Sequence, residues 1–285
     1  MKTNYKELLI GLLFAVIHTA YSQNTNGLCA ITYIANEGFL VETTNHKVIV
    51  DALFGNIKGD WCEQPSDSIL HAMISGMLPF NGIDAIMVSH YHVDHFDQQM
   101  VTDFMKNHTE TILVCPNQVD EILHKNVDYP IISSRIRRVK SAIPHDTLIV
   151  VNGIEINSMR INHGSYIETD TASGESVDRH RNVENLSFLI NVDGYTLSHS
   201  GDASSRTPSD FFKNYELDKQ EIHIALFDRS YLRPDALEIV NEVFKPKNII
   251  LMHISPSGID MHKNFIKNDP RMFIFFKPME VMRFQ

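Results

Sequence analysis

The densest group of potential metal ligands in this chain is the hexapeptide at residues 90–95, His-Tyr-His-Val-Asp-His. Neutral imidazole and carboxylate are the ligand types that zinc and other first-row metals take in proteins. Residues two apart in an extended segment project to the same side, so His90 and His92 can converge on one ion. Asp94 and His95 follow beyond a bend, where they can bind a second ion. The hexapeptide therefore predicts a metal site with room for two ions.

The residues before the hexapeptide indicate where it lies in the fold. Residues 83–88 form a short apolar run that is typical of a buried strand. Open α/β sheets place their sites at the carboxyl ends of strands, which is where His90 stands. The alternative, a solvated surface loop, leaves this position unexplained. We therefore expect the hexapeptide at one edge of a sheet.

Three further candidate ligands follow strand-like segments later in the chain: His163, Asp202 and His253. Each also has an ordinary explanation when it is taken singly. His163 could be a loop histidine, and His253 could be a strand-end residue bonded to backbone. Asp202 could cap a helix, since aspartate is a good N-cap. The hypothesis of a shared site depends on all of these segments meeting in space.

The order and types of these residues resemble the metallo-β-lactamase superfamily, whose first metal motif is His-x-His-x-Asp-His. Residues 38–42 and 47–51 look like the opening hairpin of that family, with Asp51 as its buried aspartate. The resemblance implies an α/β fold, a four-layer αββα sandwich of two mixed β-sheets. It also implies two divalent metal ions as cofactors, and zinc is the expected metal.

The resemblance further implies which ion each residue binds. The first ion is expected on His90, His92 and His163, and the second on Asp94, His95 and His253, with Asp202 bridging the two. Some β-lactamases of this superfamily have a cysteine ligand where this chain has Asp202. The aspartate favours the hydrolase branches, and the chain most resembles the ascorbate-phosphate lactonase-like branch.

The implied activity is hydrolysis of an ester, lactone or phosphodiester bond in a small-molecule substrate by a hydroxide that two zinc ions hold. Asp94 is expected to orient this nucleophile, and Tyr231 to donate a proton to the leaving group. Arg229 could meet an anionic substrate group. β-Lactam hydrolysis, oxidation by a mono-iron sulfur dioxygenase-type enzyme, and a non-catalytic metal-stabilised binding protein are the alternatives.

Residues 1–22 resemble a signal peptide, with lysines before an apolar stretch and small residues before Gln23. The expected product is a single domain, residues 23–285, that is secreted or periplasmic and free of the membrane after cleavage. The formal net charge of −10 argues against a nucleic-acid partner. Cys29, Cys62 and Cys115 leave at least one thiol unpaired, and the oligomeric state is not predicted.

Periodicity and turn residues predict the elements that position the site. The predicted strands are 30–35, 38–43, 47–51, 83–88, 111–115, 130–133, 147–151, 154–161, 186–192, 195–199, 222–227, 248–253 and 272–276. The predicted helices are 65–75, 97–107, 117–125 and 233–244. The irregular segment 164–184 is interpreted either as a substrate wall or as a disordered surface insertion. Taken alone, these patterns support a mixed α/β class.

Overall fold

Two mixed β-sheets pack face to face, with helices on both outer faces. The computed structural model describes residues 27–140, 143 and 145–285 of the 285-residue chain. Each sheet has seven strands, and a separate two-stranded sheet lies in the second half of the chain. This confirms the predicted α/β sandwich.

The first sheet is built mainly by the first half of the chain. Its strands are β1 Cys29–Ala35, β2 Gly38–Glu42, β3 Lys47–Val50, β4 Ala85–Met87, β5 Ile112–Pro116, β6 Ile136–Val139 and β16 Val281–Phe284. The spatial order is β16-β1-β2-β3-β4-β5-β6. The strands from β3 to β6 run parallel, so their carboxyl ends lie at the same edge of the sheet.

The second sheet repeats this plan with a parallel and an antiparallel half. Its strands are β7 His145–Val151, β8 Ile154–Asn162, β11 Glu184–Val192, β12 Tyr195–His199, β13 Ile224–Asp228, β14 Asn248–Met252 and β15 Met272–Ile274, in the order β15-β14-β13-β12-β11-β8-β7. The strands from β12 to β15 are parallel. Because β8 and β12 are both antiparallel to β11, β8 ends at the same edge as they do.

The helices cover the outer faces of the two sheets. They are α1 Asp67–Ile74, α2 Gln98–Asn107, α3 Asn117–Leu123, α4 Tyr129–Ile132, α5 Ser209–Lys213, α6 Pro234–Ile239 and α7 Ile259–Ile266. A π-helical turn, Val240–Phe244, extends α6. Among the described residues, no helix combines the length and apolar character that a membrane span requires.

The apolar side chains alternate along the strands, so each sheet buries both of its faces. In β11, Leu186, Phe188 and Ile190 point into the core between the sheets, whereas Leu189 points toward the helices. This two-residue period follows from the pleat of a strand. The result is a central core between the sheets and one outer core under the helices of each sheet.

Two element predictions require correction. The segment 130–133 is not a strand, because Tyr129–Ile132 forms a short helix. Pro130 lies in its first turn, where the backbone N–H that proline lacks would have no hydrogen-bond partner within the helix. The irregular segment contains a hairpin of β9 Ile167–Thr169 and β10 Ser176–Asp178. Strand β16 has no predicted counterpart.

The remaining predictions fall on the termini and the thiols. The predicted signal peptide, residues 1–22, lies outside the described residues. Cys29, Cys62 and Cys115 are all buried and none forms a disulfide.

Candidate metal centre

The hexapeptide follows β4 as a tight turn that is tied to the neighbouring strand end. The backbone N–H of Ser89 donates to Asp51 Oδ1 at 2.7 Å, and the Ser89 hydroxyl donates to Asp51 Oδ2 at 2.6 Å. The N–H groups of His95 and Phe96 both donate to the His92 carbonyl at 3.0 Å. These bonds fix the backbone on both sides of His92, so the hexapeptide side chains have defined positions.

Four side chains from three segments converge at a first cluster. The Nε2 atom of His90 lies 3.0 Å from Nδ1 of His92 and 3.3 Å from Nε2 of His163. Asp202 Oδ2 lies 3.1 Å from His163 Nε2 and 3.8 Å from His90 Nε2. His163 follows β8, and Asp202 follows β12. This cluster therefore joins the first sheet to the second.

The hydrogen bonds behind the first cluster assign the protons on two of its rings. His163 Nδ1 must donate to the carbonyl of Gly164 at 2.7 Å, because a carbonyl only accepts. The Ser89 hydroxyl already donates to Asp51, so it accepts from His90 Nδ1 at 2.9 Å. In the neutral imidazoles, the Nε2 atoms of His90 and His163 then face each other with lone pairs. A cation between them removes that conflict.

A second cluster lies on the other side of Asp202. His95 Nε2 is 3.5 Å from both Asp202 Oδ1 and Asp94 Oδ2. His253 Nε2, after β14, is 3.4 Å from Asp94 Oδ2. His95 Nε2 and Asp202 Oδ1 are buried and have no hydrogen-bond partner. Orphaned buried polar atoms are rare, and these two fit a metal ion in the place between them.

Carboxylates behind the second cluster orient its imidazoles. Asp51 Oδ2 accepts from His95 Nδ1 at 3.0 Å, and Asp228 Oδ2 accepts from His253 Nδ1 at 3.0 Å. Such contacts fix the tautomer and leave Nε2 free for a metal. The sequence marked Asp228 only as part of a candidate substrate wall, and its contact with His253 was not predicted. Its signal in the sequence is a carboxylate at the end of an apolar run, at the same edge as Asp202 and His253.

Glu37 is a second unpredicted residue at this cluster. It lies in the turn between β1 and β2, is fully buried, and neither carboxylate oxygen has a hydrogen-bond partner. Its oxygens lie 3.9 Å from Nδ1 of His95 and of His253. Glu37, His95, Asp202 and His253 together are a possible ligand set. No motif marks Glu37, because it is placed by the folding of a hairpin.

The electrostatics of the two clusters differ. Burial, reinforced by neighbouring imidazoles, holds the pKa of His90 well below its usual value and lowers the pKa of His92 to about 4. Burial would also lower the pKa of His95 and of His253, but the surrounding carboxylates outweigh it and raise both. His90 and His92 thus favour the neutral form, whereas the carboxylates of the second cluster create a negative field that attracts cations.

The carboxylates that face the clusters are held ionised. For Asp94 and Asp202, burial favours the protonated form, but the adjacent imidazoles outweigh it and lower the pKa of both groups. Imidazole nitrogens with ionised carboxylates are the donor set that divalent zinc and iron take, and a bound cation would displace the proton that the raised pKa favours on His95 and His253. The residues present therefore fit the two expected ions.

A cleft opens over both clusters through the partly exposed side chains of His92, Asp202 and His253. One lobe has a volume of about 480 Å³ and includes Arg206, Arg229 and Arg233 in its wall. The other lobe, of about 350 Å³, is lined by Trp61, Tyr91 and Val93. His180 lines both lobes. The hairpin segment contributes Ser165, Tyr166 and His180, so it forms part of this wall.

Tyr231 does not join the cleft. Its ring is 2% exposed and stacks on Phe227 at 4.9 Å in the outer core of the second sheet. Burial also raises the pKa of Tyr231. This position does not favour the predicted proton donation, and its neighbours Arg229 and Ser230 line the cleft in its place.

The structure brings the seven predicted ligands to one edge of the sandwich: His90, His92, Asp94, His95, His163, Asp202 and His253. Their roles as ligands stay predictions, as does the role of Asp94 toward the nucleophile. His199 lies behind the site, where its Nδ1 accepts from the N–H of Gly201 and its Nε2 donates to the Glu37 carbonyl. It thus supports the backbone next to Asp202.

Solved structures share this fold at low sequence identity. Igni18, a novel metallo hydrolase from the hyperthermophilic archaeon Ignicoccus hospitalis KIN4/I, has a TM-score of 0.57 and 15% identity, over 90% of this chain and 99% of that chain. Isothiocyanate hydrolase from Delia radicum gut bacteria has a TM-score of 0.55 and 16% identity, with the same coverage. CmlA, a diiron β-hydroxylase from Streptomyces venezuelae, has a TM-score of 0.56 and 11% identity, over 90% of this chain and 54% of that chain.

Sequence comparison gives a family but no individual relative. No curated protein sequence matches this chain significantly. The sequence model of the beta-lactamase superfamily domain matches residues 46–259. Because that match spans more than half of the chain and includes every predicted ligand, this chain belongs to the metallo-β-lactamase superfamily.

Proposed function

We propose that this protein is a hydrolase that binds two divalent metal ions, preferably zinc, and cleaves an ester, lactone or phosphodiester bond of a small molecule. The observation that carries the proposal is the convergence of the Nε2 atoms of His90 and His163, which lie 3.3 Å apart beside Asp202 Oδ2. A metal cation bound there would accept the lone pairs of both nitrogens. The family to which the chain belongs supports the hydrolytic reading.

The side chains divide the work of binding. His90, His92 and His163 would hold the first ion, and Asp94, His95 and His253 the second, with one oxygen of Asp202 directed at each. Two divalent ions supply a nucleophilic water at neutral pH and positive charge for the developing oxyanion. Asp51, Ser89 and Asp228 hold the Nδ1 atoms of the His95, His90 and His253 rings, so that the Nε2 atoms face the expected ions.

Asp94 is placed to act on the attacking water. Its Oδ2 atom lies 3.4 Å from His253 Nε2 and accepts from Asn36 Nδ2 at 3.2 Å. The low pKa of Asp94 keeps it ionised, so it can accept a hydrogen bond from water and fix its direction. In ester hydrolysis the attacking water releases a proton to solvent as its oxygen bonds to the carbonyl carbon, the C–O bond breaks, and the departing alkoxide takes up a proton from solvent in the open cleft.

The test is hydrolysis of a panel of lactones, esters, phosphodiesters and β-lactams with and without a chelator. We expect turnover of at least one of the first three classes, loss of turnover on chelation, and recovery on adding zinc. His163→Ala should abolish the activity, whereas His71→Ala, an exposed histidine of α1, should not. Turnover that survives the chelator would overturn the proposal, and turnover of β-lactams alone would replace it with β-lactamase activity.

Oxidation at an iron site is the second candidate. The extra carboxylate of Glu37 beside His95 and His253 makes the second cluster rich in oxygen donors, which suits iron. The similarity of the fold to CmlA, a diiron enzyme, is compatible with this candidate. Elemental analysis and oxygen uptake distinguish the two. Bound iron with oxygen uptake in the presence of a persulfide or another reductant would favour oxidation over hydrolysis.

Export to the periplasm or the medium is proposed from residues 1–22 alone. Cell fractionation of the full-length protein, with mass spectrometry of its mature N-terminus, tests this separately from the activity. A mature chain that begins at Gln23 is expected.

A further inference from the structure

The larger lobe of the cleft has three arginines in its wall, together with Asp202 and Asp228, although the protein is acidic. The formal net charge is −10, yet Arg206, Arg229 and Arg233 all line the cavity of about 480 Å³ that has Asp202 and His253 at its floor. Arginines beside a metal site do not help to bind metal cations, because like charges repel. Their presence in the wall is instead explained by a negatively charged ligand in the cleft.

Arg229 is held next to the second cluster by the same carboxylate that orients His253. Asp228 Oδ2 accepts from His253 Nδ1, and Asp228 Oδ1 accepts from the N–H of Ser230 at 2.8 Å. This fixes the backbone on both sides of Arg229. The Arg229 side chain is exposed, and no carboxylate forms an ion pair with it in the part of the chain that the structure describes. Its guanidinium is free to bind a ligand.

Arg206 is held next to the first cluster in a similar way. Ala203 forms a β-bridge with His163, and the N–H of Ser204 donates to the Asn162 carbonyl at 2.9 Å. The Ser204 hydroxyl then accepts from the N–H of Arg206 at 3.3 Å. The loop that carries Asp202 thus also fixes the start of the Arg206 side chain, which is exposed.

The third arginine is already neutralised. Asp235 accepts from Arg233 Nε at 3.1 Å and from Arg233 Nη2 at 2.7 Å. This bidentate pair occupies the Asp235 carboxylate. Among the described residues, Arg206 and Arg229 are therefore the two arginines of the lobe that form no ion pair, although Asp235 also interacts with the charge of Arg206.

The other lobe has apolar and aromatic side chains in its wall instead of arginines. Trp61 and Val93 are 49% and 61% exposed, and Tyr91 lies between the hexapeptide histidines in sequence. These apolar side chains face the second cavity, which meets the first at His180, Asp202 and His253. A molecule that spans the metal ligands thus meets arginines on one side and aromatic surface on the other.

We propose that the substrate is an organic anion: a carboxylate or phosphate group binds Arg206 and Arg229, the scissile bond lies over the metal ligands, and an apolar group lies against Trp61. The proposal rests on the proposed hydrolase function. Guanidinium groups bind carboxylate and phosphate by charge-assisted hydrogen bonds. The two arginines therefore define a substrate class within the esters, lactones and phosphodiesters.

The kinetic test compares two matched esters, neutral 4-nitrophenyl butyrate and anionic 4-nitrophenyl hemisuccinate. We expect the wild-type protein to have a kcat/KM for the anionic ester roughly tenfold above that for the neutral ester, at low salt, since two exposed charge pairs are gained. Arg206→Gln and Arg229→Gln should each lower this ratio by about threefold, and the double variant should bring it to about one. Arg283→Gln, on edge strand β16, should leave it unchanged.

A binding test avoids turnover altogether. Phenylphosphonate and phenylacetate, which have no ester bond to cleave, are titrated into the metal-loaded protein by calorimetry. Tighter binding of phenylphosphonate would assign a phosphate group to the substrate, and tighter binding of phenylacetate a carboxylate. In either case the Arg206→Gln/Arg229→Gln double variant should bind the favoured anion about tenfold more weakly, whereas Arg283→Gln should bind as the wild type.

The outcomes separate the two proposals. If chelator-sensitive hydrolysis is present but the charge preference is absent, or persists in the double variant, the substrate class is wrong and the hydrolase is not. If no substrate of the panel is hydrolysed, the hydrolase proposal fails, and calorimetry still decides on the anion site. Equal binding by the wild type and the double variant would overturn that site.

Discussion

Asp228 Oδ2 accepts a hydrogen bond from His253 Nδ1 at 3.0 Å, and this contact places His253 Nε2 toward Asp94 and Asp202. Asp228 ends β13 and His253 follows β14, its parallel neighbour. His253 has a φ of 57°, an unusual backbone conformation for a residue other than glycine. The position of the His253 imidazole is therefore determined both by the backbone conformation of the residue and by the hydrogen bond of its Nδ1 atom.

Asp228→Asn should weaken zinc binding at the second cluster. The amide keeps the bond from Ser230 to Oδ1, but it removes the charge that favours the required histidine tautomer. Loss of such a contact lowers metal affinity by about 10- to 100-fold. Competition with a chromophoric chelator measures the affinity. Asp103→Asn, a surface change on α2, is the matched control, and an unchanged second zinc affinity in Asp228→Asn would contradict the assignment.

Gly201→Ala should both destabilise the protein and displace Asp202. Gly201 has a φ of 50°, and an added Cβ would lie 2.7 Å from Asn185 Oδ1 and 2.8 Å from the Leu186 carbonyl oxygen. Asn185 Oδ1 is the acceptor for the N–H of Asp202 at 3.0 Å. We expect a loss of roughly 2–4 kcal/mol in the free energy of unfolding, measured by urea titration, together with weaker zinc binding.

Gly194→Ala separates backbone strain from the clash in that experiment. Gly194 also has a positive φ, of 83°, but no atom lies within 4 Å of its added Cβ. It should lose only about 1 kcal/mol and retain zinc affinity. Equal effects of the two variants would show that the close approach at Gly201 has no special role.

Glu37→Gln should reduce the thermal stabilisation that we expect zinc to give. Burial and the nearby Asp202 raise the pKa of Glu37 well above its usual value, so an ionised Glu37 is unfavourable in the metal-free protein. In the wild type, bound cations would offset the free-energy cost of ionising Glu37. Glutamine is not ionised, so the variant has no such cost for the cations to offset. Differential scanning calorimetry should give a higher Tm for the metal-free variant and a smaller Tm increase with zinc. Glu155→Gln, on the exposed face of β8, should behave as the wild type.

The three thiols should be unreactive until the protein unfolds. Burial raises the pKa of Cys29 and of Cys62 from 9.0 to about 12, and that of Cys115 well above 9.0. At pH 8 the thiolate fraction is then roughly a thousandfold below that of a free cysteine. Iodoacetamide labelling followed by mass spectrometry should find little modification at pH 8 in buffer and full modification in urea. Rapid labelling in buffer would contradict the buried positions.

The same thiols make stability depend on alkaline pH. Above about pH 9.0 the unfolded chain begins to lose thiol protons that the folded chain retains. A raised pKa in the folded state therefore contributes stability below 9.0, and this is lost as the pH rises toward about 12. Urea titrations at pH 8 and pH 10 should show the decrease, and replacement of Cys29 by alanine should reduce it.

The sequence predicted those parts of the site that local pattern determines. The hexapeptide follows an apolar run, and Asn152-Gly153 and Asp193-Gly194 lie at the turns of two of the hairpins of the structure, β7–β8 and β11–β12. The family resemblance placed Asp202 and His253 together, and the structure brings both to one edge because the strands from β12 to β14 are parallel. The family resemblance, confirmed by the domain match, supplied the sandwich.

What the sequence did not predict depends on contacts between distant segments. Glu37 reaches the second cluster only because the turn between β1 and β2 lies beside β14, where the Asn36 carbonyl and the His253 N–H are 3.4 Å apart. Tyr231 follows a strand end as a catalytic residue would, but the 3₁₀ turn Arg229–Leu232 directs it into the core. No local pattern distinguishes an inward from an outward side chain in such a turn.

The predicted ligands come from both sheets: His90 to His95 follow a strand of the first, whereas His163, Asp202 and His253 follow strands of the second. Neither half of the polypeptide therefore has the complete set of expected donors. Bound ions would therefore crosslink the two sheets at their interface. Metal supply would then govern how readily the two halves of the chain separate and how long the protein resists proteases.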